Sequence, residues 1–147
     1  MPRSSPPVAP DLMATLAQFC RTYQQDFLAA AQSLDLTGSH ASLLCLLAEP
    51  RAMRELAESL SCDASNITLI IDRLEQRGLV ERHIDPADRR VKKVVATAEG
   101  AAIAAQVHAR MRGIHAALDS LTPARRRSLR DILHQLGSHP APGTDPA

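Results

Sequence analysis

The side chains with most to offer chemically stand between positions 63 and 93. Ser65, Asn66 and Thr68 are short groups that both donate and accept hydrogen bonds, and Leu69 and Arg73 follow them closely. Arg89, Arg90, Lys92 and Lys93 then form a cationic cluster just after Asp85-Pro86-Ala87-Asp88. This is a chemistry of recognition rather than of bond making. A carboxamide can bond an adenine edge through two hydrogen bonds, and guanidinium groups grip phosphate or enter a narrow groove. The motifs of common enzymes are missing: no G-x-G-x-x-G, no P-loop, no H-E-x-x-H and no nucleophile elbow occurs. His108 and His115 lie on one expected helix, but no Cys/His set has metal-ligand spacing. The expectation is a non-enzyme without metal or cofactor.

These side chains need elements to hold them. Asp63 is a good N-cap, with Ile67, Ile70, Ile71 and Leu74 forming an inward stripe that ends before Gly78, so one helix is predicted over about 64–77. Its outer face keeps Ser65, Asn66, Thr68, Leu69, Arg73 and Gln76. Leu79–Ile84 and Val91–Ala96 are rich in strand formers around turn chemistry, which predicts a hairpin with a charged tip. Before them, apolar residues at 12, 16, 19, 23, 27, 30 and 34 advance by threes and fours along a long first helix. An apolar helix over about 39–49 and a short one near 53–60 come next. After Thr97, positions 103, 107, 111, 114, 118 and 121 predict one long helix, and Thr122-Pro123 starts a last one lined by Leu129, Ile132, Leu133 and Leu136. Helix, short helix, outward-polar helix and basic hairpin is the order of a helix-turn-helix with a β wing, a shape suited to duplex DNA.

Bulk properties agree. A chain of 147 residues, 45% hydrophobic and 22% charged, has the usage of one compact soluble domain and excludes disordered or collagen-like classes. Aromatic residues are confined to Phe19, Tyr23 and Phe27, which argues against base-stacking platforms. Net charge is 17 − 16 = +1, but residues 73–93 hold seven Lys or Arg against four acids, while residues 1–62 hold four Arg against six acids. Positive charge is thus gathered where the hairpin lies. The longest apolar run, Leu43–Ala48, is far short of a membrane span, and the start of the chain has no secretory h-region. With three cysteines, an odd and sparse set, this reads as a cytoplasmic protein with no membrane partner.

The stretch MRELAESLSCDASNITLIIDRLEQRGLVERHIDPADRRVKKVVATAEG, residues 53–100, resembles the DNA-binding core of MarR-type winged-helix repressors, and the flanking helices agree in order. The likeness extends over about residues 11–137. It implies a mainly α fold with a small β hairpin: a winged helix-turn-helix lobe over 38–97 and dimerisation helices over 11–36 and 98–137. Residues 1–10 and 138–147, rich in proline, read as mobile tails. The function implied is that of a homodimeric, sequence-specific transcription regulator, a repressor released by a small effector, on a pseudo-palindromic double-stranded operator. By position, Ser65, Asn66 and Thr68 match the base-reading part of the family's recognition helix, Arg73 an arginine farther along it, and Asp88 with Arg90 the wing-tip Asp-x-Arg. Arg89 and Lys92 join the expected DNA contacts. Ala64 and Leu69 depart from the basic or polar residues of many relatives, which implies fewer phosphate contacts, while Leu69 suits a thymine methyl.

The resemblance also implies an effector site between dimerisation helices and winged lobe, for which Phe19, Tyr23 and His40 are plausible lining for a small aromatic or phenolic compound. Ordinary core packing and a helix-capping role explain the same residues equally well. Two alternatives stay open: a winged-helix protein-interaction module that never touches DNA, and a redox-sensing repressor using Cys20, Cys45 or Cys62.

Overall fold

The computed structural model describes residues 10–138, and residues 1–9 and 139–147, which make up nearly all of the two expected tails, lie outside them. The described residues fall into two compact units, one ending at Met111 and the other starting at Arg112. The first contains α1 (Pro10–Gln32), α2 (Gly38–Leu46), β1 (Arg51–Ala52), α3 (Met53–Ser59), α4 (Ala64–Gln76), β2 (Val80–Ile84), β3 (Lys92–Ala96) and α5 (Ala98–Arg110). The second contains α6 (Arg112–Asp119) and α7 (Pro123–Gly137). The mainly α architecture with a small antiparallel sheet is the one expected.

Helix α4 shows how packing overrides local preference. Ile67, Thr68, Ile70 and Ile71 are β-branched, and each costs a few tenths of a kcal/mol in a helix. Ile67, Ile70, Ile71 and Leu74 are all buried, and each such burial is worth about 1.5–3 kcal/mol. Packing therefore wins by a wide margin. Asp63 fixes the start, its Oδ1 accepting from the Asn66 N–H at 2.7 Å. At the other end Gly78 takes the left-handed φ of 69° and its N–H bonds the Glu75 carbonyl at 2.9 Å. Around α4, Leu43 and Leu44 of α2, Leu56 of α3, Val80 of β2, Val94 of β3 and Val107 of α5 are fully buried and close the core of this unit.

Three expectations need correction. The wing is not a bare hairpin: β1 adds a third strand, with Arg51 opposite Val94 and Ala52 opposite Lys93, giving the order β1-β3-β2. Two residues between Pro50 and a helix carry too little pattern to read as a strand. Helix α2 ends at Leu46 rather than near 49: Pro50 has no N–H to bond the Leu46 carbonyl, which accepts from Arg51 Nε at 2.9 Å instead. The long helix anticipated after Thr97 is divided, because Met111 leaves the helical region with ψ of 64° just ahead of Gly113, a weak helix former.

Each unit leaves apolar surface open. On α1 the stripe is buried only at Phe27, Ala30 and Ala31, and Leu12, Met13, Leu16, Phe19 and Tyr23 are exposed. In the second unit α7 has no buried residue, and Ile132, Leu133 and Leu136 all face outward.

Candidate nucleic-acid interface

Burial of one side of α4 determines what its other side shows. Ser65, Asn66, Thr68, Leu69 and Arg73 are all exposed. The Asn66 backbone N–H donates to Asp63 Oδ1, and its exposed side-chain amide has no hydrogen-bond partner among the described residues. Thr68 is less available: its hydroxyl donates to the Ala64 carbonyl at 2.8 Å and retains only acceptor capacity. Leu69 is an apolar side chain held 49% exposed at mid-helix.

The wing loop is held by its own aspartates. Asp85 Oδ1 accepts from the Ala87 N–H at 2.9 Å, and Asp88 Oδ1 accepts from the Arg90 N–H at 3.0 Å. Backbone bonds from Val91 to the Asp88 carbonyl and from Asp85 to the Val91 carbonyl, each 3.0 Å, close the turn. Asp88 thus meets Arg90 through the main chain, and the guanidinium stays exposed. Arg73, Arg89, Arg90 and Lys92 are exposed and form no ion pair among the described residues. Lys93 differs, its Nζ lying 2.9 Å from Asp85 Oδ2. That hydrogen bond lowers the Asp85 carboxyl below its ordinary range and raises the Lys93 ammonium above its own.

Sequence reasoning missed the residue that joins helix to wing. Arg82 of β2 donates to both Asp72 and Glu75 of α4, and its backbone N–H reaches Glu75 Oε1 at 3.3 Å. Two acids three apart on one helix face, followed beyond a glycine by a strand arginine, were the available signal.

The residues proposed to line an effector site are not brought together. Tyr23 lines a cleft of about 290 Å³ with Gln24, Phe27, Ser42, Cys45 and His108, while Phe19 and His40 are not part of its wall. The Tyr23 and Phe27 rings stack with centroids 6.4 Å apart. His40 is buried instead near Arg73 and Arg77; desolvation first, then those two charges, lowers its pKa and keeps the ring neutral. All three cysteines are free thiols, and burial pushes Cys45 up, away from the reactive thiolate. Among the described residues no group of three or more His, Cys, Asp or Glu is placed to hold a metal ion, and no helix is long and apolar enough to cross a membrane.

Comparison with known proteins places this geometry. Residues 36–92 match the model of the MarR family. The multiple antibiotic resistance protein MarR of Salmonella typhimurium is 37% identical over 79 residues, 52% of this chain and 55% of that protein. The chain thus spans about half the length of the curated relatives it matches. Among solved structures, CouR from Rhodococcus jostii RHA1 bound to p-coumaroyl-CoA superposes with a TM-score of 0.72 at 28% identity, covering 93% of this chain and 99% of that one. A cysteine-to-serine mutant of MarR from E. coli, complexed with operator DNA, gives a TM-score of 0.63 at 27% identity over 86% of this chain and 94% of that one. An outward-polar α4 and a cationic three-stranded wing follow one another in the order of the matched segment, and over that segment the chain is similar to MarR-family winged-helix proteins.

Proposed function

We propose that this protein is a dimeric, sequence-specific DNA-binding regulator of transcription, acting as a repressor that a small aromatic molecule releases. The observation that carries the reading is the pairing of an exposed Asn66 amide, near the positive end of α4, with unpaired Arg89, Arg90 and Lys92 on the adjoining wing. Base-edge hydrogen bonding and phosphate attraction are thereby offered by neighbouring elements, which is how helix and wing share one duplex. Ser65 and Leu69 extend the helix contact, the second toward a thymine methyl, and Arg73 reaches the backbone.

Dimerisation is supported by apolar side chains left open on α1 and on α7, which cost free energy in water unless covered. Effector release is supported by the Tyr23 cleft, where a stacked aromatic pair meets Ser42 and His108, and by the aromatic thioester bound to CouR. Such a ligand acts only by binding the DNA-incompetent arrangement of the lobes more tightly than the competent one.

Selection of bound duplexes from a random pool tests the reading. The expected product is a pseudo-palindrome with half-sites about 10 bp apart. Asn66→Ala should relax preference at one base position by about 1–3 kcal/mol, whereas Arg90→Ala should weaken all sequences alike. Recovery of no enriched sequence, or equal and sequence-blind losses from both variants, overturns it.

A further inference from the structure

We infer that Arg54, on the first turn of α3, is a further phosphate-gripping residue, and that the cleft it shares with the wing seats a backbone phosphate of duplex DNA. The inference rests on the DNA-binding reading above. The cleft, about 340 Å³, is lined by Ala52, Met53, Arg54, Arg90, Val91 and Lys92. Three of those six side chains are cations and none is an acid. The nearest acid in sequence, Glu55, already spends its Oε2 on the Ala52 N–H at 3.0 Å.

Arg54 is held back by a light restraint. Its Nε lies 3.0 Å from Glu58 Oε1 one turn along α3, with the two side chains 89% and 66% exposed. A pair so open to water is weak, so a phosphate can take the guanidinium from Glu58 at little cost. Arg51, close by in sequence, is not equivalent: its Nε bonds the Leu46 carbonyl at 2.9 Å and it does not line the cleft. The first helix of a helix-turn-helix crosses the DNA backbone while the second enters the groove. A phosphate in this cleft is then approached by Arg54 from the helix side and by Arg90 and Lys92 from the wing. A free anion would find the same charges, but the cleft opens beside a wing already assigned to the duplex.

The test is the salt dependence of binding, measured with the full-length protein on its selected duplex and on an unrelated duplex. Arg54→Ala should lower the slope of log K against log salt by about 0.9 on both duplexes, so that its defect shrinks about threefold between 50 and 200 mM salt. Arg54→Lys should retain the slope, and Glu58→Gln, which frees the arginine, should tighten both complexes severalfold. Inorganic phosphate at millimolar concentration should leave the wild-type complex intact. Wild-type binding with an unchanged slope in Arg54→Ala overturns the inference alone, as does a loss that phosphate reproduces. Absence of wild-type binding to either duplex overturns the DNA-binding reading and the inference with it.

Discussion

The ammonium of Lys93 sits 2.9 Å from the carboxylate of Asp85, so one of the two adjacent wing lysines is neutralised inside the protein while Lys92 is not. Composition counts both as positive; geometry counts one. Lys92→Ala should therefore lower the salt slope of DNA binding by about 0.9, whereas removing the pair as a neutral unit, with Lys93→Ala and Asp85→Asn together, should leave it near the wild-type value. Equal slopes for the two proteins would contradict this. The pair also has a defined pH range. Asp85 is depressed, so its contribution is present above about pH 4 and is lost as pH falls through the lowered value. Lys93 is raised, so its contribution is present below about pH 10 and is lost as pH rises beyond. A carboxyl titration of Asp85 by NMR should come below the ordinary aspartate range.

Arg82 ties β2 to Asp72 and Glu75 of α4 and thereby sets the angle between the helix and the wing. Its side chain is 22% exposed against 46% and 41% for the two acids, which makes this a partly buried network of charge-assisted bonds. Arg82→Ala should cost about 1–2 kcal/mol of stability by denaturant unfolding. Because neither acid nor Arg82 needs to touch DNA, the same variant should weaken binding without lowering the salt slope. A slope reduced by a full unit would instead make Arg82 a phosphate contact.

How much of this could be read from residues alone depends on how local each feature is. The α4 helix was legible in full, since Asp63 caps it, an aliphatic stripe spaces it and Gly78 ends it within one short stretch. The two long wing strands were legible for the same reason. Strand β1 was not, because it exists only through pairing with Val94 and Lys93, more than forty residues away. The break at Met111 was also hidden: apolar spacing continues across it, and only backbone angles show it. At the site, which residues face outward followed from the burial pattern, but which charges are already spent did not. Lys93, the Asp88 carboxylate and the Thr68 hydroxyl each have a protein partner that is set by the fold or the turn, not by residue type.

His40 should make folding sensitive to mild acid. Burial, then Arg73 and Arg77, lowers its pKa in the folded protein, so the unfolded chain takes up a proton first as pH falls. The sign is fixed by that order: stability is constant above the unfolded value of about 6.5 and declines as pH drops below it, down to the lowered folded value. Comparison of urea midpoints for wild type and His40→Gln between pH 5 and pH 8 isolates this group from the other histidines. The difference between the two proteins should change with pH below about 6.5 and be flat above it. A difference that is constant across the whole range would show that His40 is not buried as a neutral ring.

Gly100 of α5 lies against the backbone of Leu79, in the turn that leads into β2. A Cβ at this position would lie 1.9 Å from the Leu79 carbonyl oxygen and 2.9 Å from its carbon, both backbone atoms that cannot swing aside. The neighbouring bonds leave little slack: Thr97 Oγ1 donates to the Gly78 carbonyl at 2.7 Å, and the Thr97 N–H to the Leu79 carbonyl at 3.1 Å. Thr97 also caps α5 by accepting the Gly100 N–H at 3.0 Å. One methyl group must therefore displace the start of α5 from the wing. Although alanine is the better helix former by about 1 kcal/mol, overpacking of this kind costs about 1–3 kcal/mol or more, and the clash should win. Gly100→Ala should lower the urea midpoint, and Gly137→Ala, where nothing lies within 4 Å of the added carbon, should leave it unchanged or raise it. A Gly100→Ala protein as stable as wild type would mean that α5 does not pack on Leu79 as described.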